Sequence, residues 1–214
     1  MDFATVKRGE VLRYMGCKGE VPPEVLNLAE ECLAMLGEVC EPRYVVREFP
    51  LKMPGDGVIE TDCFRTVSRN LEKNLKDCHK LLVFAATLGI GVDHLIRRYN
   101  RLDMSRTVAL QAGAAAVLEE YCDQVCRKLR EDYERQGFYL RPRFSPGYGD
   151  FPLDCQPQIL HGLEAGKRVG ITLTEGFLMM PTKSVTAVMG VGKTPVRCRV
   201  GGCEVCGKRD CAYR

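Results

Sequence analysis

Arg143, Gly147 and Tyr148 stand at fixed offsets in the hexapeptide Arg143-Phe144-Ser145-Pro146-Gly147-Tyr148. Pro146 fixes its own φ, and Gly147 admits a conformation or close approach that a Cβ forbids, so the pair predicts a rigid turn with free amides. Arg143 adds a planar, permanently charged fork matched to a carboxylate, and Tyr148 adds an aromatic face with a polar tip. Such a turn suits a small anionic ligand. Read alone, the hexapeptide is equally an ordinary Pro-Gly turn that happens to carry an Arg and a Tyr.

The carboxyl end holds a second group. Cys198, Cys203, Cys206 and Cys211 form C-x4-C-x2-C-x4-C, interleaved with Gly201, Gly202 and Gly207, in a tail too small to build its own core. Four thiolates around zinc make a closed structural site, and the glycines ease the turns between ligands. The x4-x2 spacing also matches part of the plant-type iron–sulfur pattern, whose fourth cysteine lies further along the chain. Zinc, an iron–sulfur cluster, and free or disulfide-paired thiols all remain open at this point. Cys32, Cys78, Cys122 and Cys126 fall on apolar helical faces and are expected to act as small core hydrophobes.

Other catalytic groupings do not assemble. His79, His94 and His161 are the only histidines, and none has a neighbour at metal or triad spacing, so surface or capping roles are expected. Gly190-Val191-Gly192-Lys193-Thr194 lacks the leading glycine of a phosphate loop and no helical pattern follows it. A net charge of +3, with basic and acidic residues mixed, argues against nucleic-acid and membrane-surface roles. No apolar run is long enough to span a membrane and no signal-peptide core opens the chain, so a cytoplasmic protein with reduced thiols is expected.

The elements that must position these residues follow from periodicity. Pro22-Pro23 and the acidic, apolar-periodic segment to Gly37 predict a helix. Residues 44–51 and 57–60 read as strands, the second after the turn Pro54 to Gly57. Phe64, Val67, Leu71, Leu75 and Cys78 recur at helical spacing, predicting a helix from an Asp62 cap. The continuous apolar run Leu81 to Leu88 predicts a strand buried on both faces. Residues 92–99 form a further helix, and Asp103 caps a long one reaching about Arg135, with a small-sided centre at Ala109, Ala112, Gly113, Ala114, Ala115 and Ala116 that implies close packing. A helix over 156–165 closed by Gly166, and strands over 171–174 and 184–189, complete the chain. The fold class expected is α+β: one domain over 1–197, with a twisted, largely antiparallel sheet flanked by helices, and a cysteine-rich tail over 198–214.

Read together, Arg143-x-x-x-Gly147-Tyr148 and, about thirty residues later, Leu173-Thr174-Glu175-x-Phe177-x-Met179-x-Pro181-x-x-Ser184-Val185 resemble the S-adenosylmethionine-binding activation domain of cobalamin-dependent methionine synthase. Ala109-Leu110 and Glu120-Tyr121 are similar to that family's long helix. As a short chain with a cysteine-rich tail, it is similar to the activation-domain-like proteins of anaerobes, encoded apart from the synthase they serve.

The resemblance implies that an inert Co(II) corrinoid, carried by a partner synthase or a related corrinoid protein, is rescued by one electron from a donor and a methyl group from S-adenosylmethionine. It implies positioning rather than acid–base chemistry, so no catalytic residue is assigned. Arg143 would clamp the methionine carboxylate, and the backbone around Ser145 and Gly147 would hold the adenosyl and amino-acid portions. Tyr148 would lie toward the corrin and Glu175 would orient the turn. The family's early acidic residue and late-strand tyrosine find no match, since Val188-Met189-Gly190-Val191 carries no tyrosine. The other function class left standing is a non-enzymatic metal-binding or electron-relay module working through the C-terminal cysteines.

Overall fold

The computed structural model describes residues 5–195, and Cys198, Cys203, Cys206 and Cys211 lie outside the described residues. In chain order the elements are α1 (Arg8–Tyr14), α2 (Pro23–Val39), β1 (Arg43–Pro50), β2 (Lys52–Gly55), β3 (Val58–Glu60), β4 (Arg65–Val67), α3 (Arg69–Asn74) and β5 (Cys78–Thr87). There follow α4 (Ile90–Tyr99), α5 (Met104–Glu134), β6 (Tyr139–Leu140), α6 (Gln156–Gly162), α7 (Ala165–Val169), β7 (Thr172–Leu173), β8 (Met179–Met180) and β9 (Ser184–Gly192).

The central sheet has the order β1-β5-β9-β6 and is antiparallel throughout. β5 occupies the middle because Leu81 to Leu88 offers no polar side chain to water except Thr87, itself buried. Side chains alternate along a strand, so β5 feeds two cores. Leu82, Phe84 and Ala86 join Ala187, Met189 and Val191 of β9 beneath α1, α2, α4 and α5. Leu81, Val83 and Ala85 join Val188, Phe151, Ile159 and Leu163 on the opposite face. Each fully buried Leu or Phe contributes roughly 1.5–3 kcal/mol by leaving water, so the two-sided burial of β5 anchors the whole α+β arrangement.

α5 starts where Asp103 accepts a hydrogen bond from Arg106 N at 3.0 Å, as its N-cap position predicts. Its small-sided centre serves packing: a Cβ on Gly113 would sit 3.0 Å from Leu36 Cδ1 of α2. Cys32, Cys78, Cys122 and Cys126 are buried free thiols, and burial pushes Cys122 up to about 12. His79, His94 and His161 are exposed.

Two segments differ from their periodicity. The helix expected from Asp62 is replaced by β4, which pairs with β3 at Ile59↔Thr66, and by a shorter α3. The β-branched Thr66 and Val67 favour a strand, and Ser68 rather than Asp62 caps the helix, accepting from Leu71 N at 3.0 Å. Cys78 then opens β5. The helix expected over 156–165 breaks after Gly162, because Glu164 adopts φ 52° in the left-handed region, and α7 ends at Gly170, φ 74°, instead of Gly166. A Cβ on Gly162 would lie 2.4 Å from Cys63 Sγ, so a larger residue there would have to displace the Cys63 side chain.

Candidate functional site

Phe144 ties the turn to the sheet. Its N–H donates to Val188 O at 2.9 Å and its carbonyl accepts from Val188 N at 2.8 Å, extending β9's pairing beyond β6. The Phe144 ring packs 6.3 Å from Phe151 and 6.4 Å from Tyr148. Gly147 takes φ 87°, as a glycine at a tight turn can, but its N–H donates to Phe151 O at 2.8 Å and that of Tyr148 to Ser145 O at 3.1 Å. These two amides are therefore spent within the turn, not left free as the Pro-Gly pair predicted. The loop closes on Asp150, whose carboxylate accepts from Ser68 Oγ, from Arg69 N at 2.8 Å and from Asn70 N at 3.1 Å, capping α3. Those hydrogen bonds, Ser68 foremost, hold the Asp150 carboxyl below its usual range.

Arg143 reaches α5. Its Nη2 lies 2.8 Å from Asp123 Oδ1 and 3.1 Å from Glu119 Oε2, and the side chain is 19% exposed. Desolvation disfavours its charge, while neighbouring Cys122, Cys126 and the two acids favour it, with a net rise above the ordinary arginine value.

The 172–180 hairpin stands across from the turn. β7 pairs with β8 at Leu173↔Met179, and Thr174 closes the loop by accepting from Phe177 N at 3.1 Å on its carbonyl and from Leu178 N at 3.1 Å on its hydroxyl. Glu175 is exposed at the tip of this loop. Behind the hairpin, Asp93 of α4 is buried and accepts from Thr182 N at 2.8 Å and from Thr182 Oγ1. Ser184 Oγ donates to Pro181 O at 2.7 Å.

Turn and hairpin enclose a cleft of about 350 Å³. Ser145 and Pro146 line it from the first motif, and Thr174, Phe177, Met179 and Ser184 from the second. Gln156, at the start of α6, closes it from the side. Of the residues expected to form the site, Ser145 lines the cleft, whereas Arg143, Gly147, Tyr148 and Glu175 are not among its lining residues. Tyr148 is 72% exposed, and Leu153 and Leu178, which line the cleft, are exposed as well. A wider, open depression of about 780 Å³ runs between β1 and α6–α7, past Arg47, Asp62 and His161, and contains no residue of either motif.

Gln156, Glu119, Asp123 and Asp150 escaped sequence reasoning. A signal existed for the middle two, acids at i,i+4 on one helical face, but nothing in the sequence set Arg143 against them. Among the described residues no cluster of three or more His, Cys, Asp or Glu is placed to hold a metal, and no helix is long and apolar enough to cross a membrane.

The family model described as the vitamin B12 dependent methionine synthase activation domain matches residues 67–205, a span that takes in the turn, the hairpin and the cleft between them. Among solved structures, the MetH reactivation domain bound to AdoHcy matches with a TM-score of 0.67 at 20% identity, over 89% of this chain and 76% of that one. That likeness establishes the fold. Comparison with curated proteins found no match. On the family match, the chain belongs to the vitamin B12-dependent methionine synthase activation-domain family.

Proposed function

We propose that the chain binds S-adenosylmethionine at this cleft and reactivates a cobalamin-dependent methionine synthase, or a related corrinoid protein, that docks against it and brings the corrinoid. The observation that carries this reading is the meeting of two motifs, far apart in sequence, around one cleft. S-adenosylmethionine supplies a sulfonium methyl that is already electrophilic, so the chain need offer no acid, base or nucleophile. Its residues bind and orient. Both acids on α5 engage Nη2 of Arg143 and Cys122 shares the same side chain, and the remaining donors of the five-N–H guanidinium are the ones this reading gives to the ligand's carboxylate. Ser145 and Pro146 form one wall, and the tether through Asp150 holds that wall rigid. Tyr148, Leu153 and Leu178 are exposed apolar side chains of the turn, of the segment after it and of the hairpin, available to a docking partner.

The reaction also needs an electron. An iron–sulfur cluster on Cys198, Cys203, Cys206 and Cys211 would place a donor on the same chain, and a colourless protein carrying only zinc after anaerobic purification removes the tail from that role. Zinc there would be structural.

Anaerobic calorimetry tests the central claim. S-adenosylmethionine titrated into the protein, with and without a cobalamin-loaded synthase, should bind, and Arg143→Ala should weaken binding roughly ten- to hundredfold, the worth of a charged hydrogen-bonded pair. Absence of binding under both conditions would refute the proposal.

A further inference from the structure

We infer that Gln156 reads the amine edge of an adenine ring seated in the cleft, an assignment that rests on the S-adenosylmethionine reading above. Gln156 is 3% exposed, lines the cleft, and its Oε1 accepts no hydrogen bond. Among the described residues only Asn74 Oδ1 shares that condition. Folded proteins leave few buried polar atoms unpaired, since each forfeits its hydration, so such an atom beside a cleft is accounted for by something that enters the cleft. The side chain is also held in place: Cys155 before it is buried, Pro157 follows it, and α6 begins at Gln156 itself.

The lining selects the kind of group that enters. Among the described residues no charged one lines the cleft, so it suits a neutral part of a ligand, while Arg143, two residues before Ser145 in the turn, lies outside the lining and can take the charged end. Pro146, Leu153, Phe177 and Met179 offer apolar and aromatic surface to the faces of a flat ring. A carboxamide presents an acceptor and a donor side by side, and adenine returns the complement, its 6-amino group beside ring nitrogen N7. The volume, about 350 Å³, falls at the small end of the range for small-molecule sites, enough for a base and little more.

The test compares S-adenosylhomocysteine with S-inosylhomocysteine, in which a 6-oxo acceptor replaces the 6-amino donor. By calorimetry the wild type should prefer the adenosyl compound by roughly five- to 150-fold, the discrimination of one bidentate contact. Gln156→Leu should lose that preference and the corresponding adenosyl affinity. Its ligand-free thermal midpoint should hold or rise, because the unpaired acceptor is gone, whereas loss of a structural residue would lower it. Gln156→Met supplies the same readout should the Leu variant fail to fold. Arg143→Ala should weaken both compounds alike and keep the preference. If the wild type binds both compounds equally, or if Gln156→Leu keeps wild-type affinity and preference, the Gln156 assignment falls while the functional reading stands. If the wild type binds neither, with or without a cobalamin-loaded synthase present, both fall.

Discussion

Arg143 and Asp123 form an ion pair, 2.8 Å from Nη2 to Oδ1, that joins the turn to α5 before any ligand arrives, with Glu119 one helical turn away at 3.1 Å. Both acids are more than half exposed, so solvent screens each pair and its stabilising worth is on the order of 0–1 kcal/mol. The same acids oppose an incoming carboxylate. Asp123→Asn should therefore lower stability by no more than about 1 kcal/mol in a denaturant titration. It should also raise S-adenosylmethionine affinity about two- to fivefold in calorimetry. A weaker affinity in this variant would mean that Asp123 serves the ligand instead of competing with it.

Asp150 links the turn to α3 across 82 residues, through Ser68 and the first amides of the helix. Its carboxyl is held below the usual range by the Ser68 hydrogen bond and then by those amides, so the charged form favours the folded state. That stabilisation is present in full above the ordinary aspartate value, about 4, and is lost as pH falls through the depressed folded value. Thermal midpoints measured against pH should show Asp150→Asn below wild type at neutral pH, with the gap closing under acid conditions below about pH 4. A gap constant down to pH 2 would show that the charge on Asp150 is not what holds the turn.

Gly113 lets α5 pack closely on α2, with Leu36 Cδ1 and Leu33 Cδ2 at 3.0 and 3.5 Å from where its Cβ would be. Gly113→Val forces the helices apart in a packed interior and should cost about 1–3 kcal/mol by chemical denaturation. An unchanged midpoint would mean that this seam yields more readily than its contacts imply.

Tyr148 is 72% exposed and its ring meets Phe144 edge-on. Tyr148→Ala should change stability by no more than about 0.5 kcal/mol, as surface substitutions do. It should leave S-adenosylmethionine binding to the isolated chain intact and weaken association with a cobalamin-loaded synthase, read by surface plasmon resonance. Loss of ligand binding in the isolated chain would place Tyr148 in the ligand site instead of at the partner's face.

Where local physics decides conformation, the sequence by itself was sufficient. The apolar run Leu81 to Leu88 had to be a central strand, Asp103 had to start the long helix, and buried thiols such as Cys122 had to be core, because each rests on burial or capping within a few residues. The two motifs were legible too, as residue types at fixed offsets. Tertiary structure decided the rest. Helical spacing at Phe64, Val67 and Leu71 yielded to a strand once β3 was available to pair with Thr66, a contact no local pattern encodes. The Arg143 pairing with Glu119 and Asp123, the Asp150 cap on α3 and the unpaired Gln156 beside the cleft are all relations between segments remote in the chain. Residue spacing reports what lies on one face of one element; which faces meet, and which polar atom is left without a partner where they do, is set by how the elements pack.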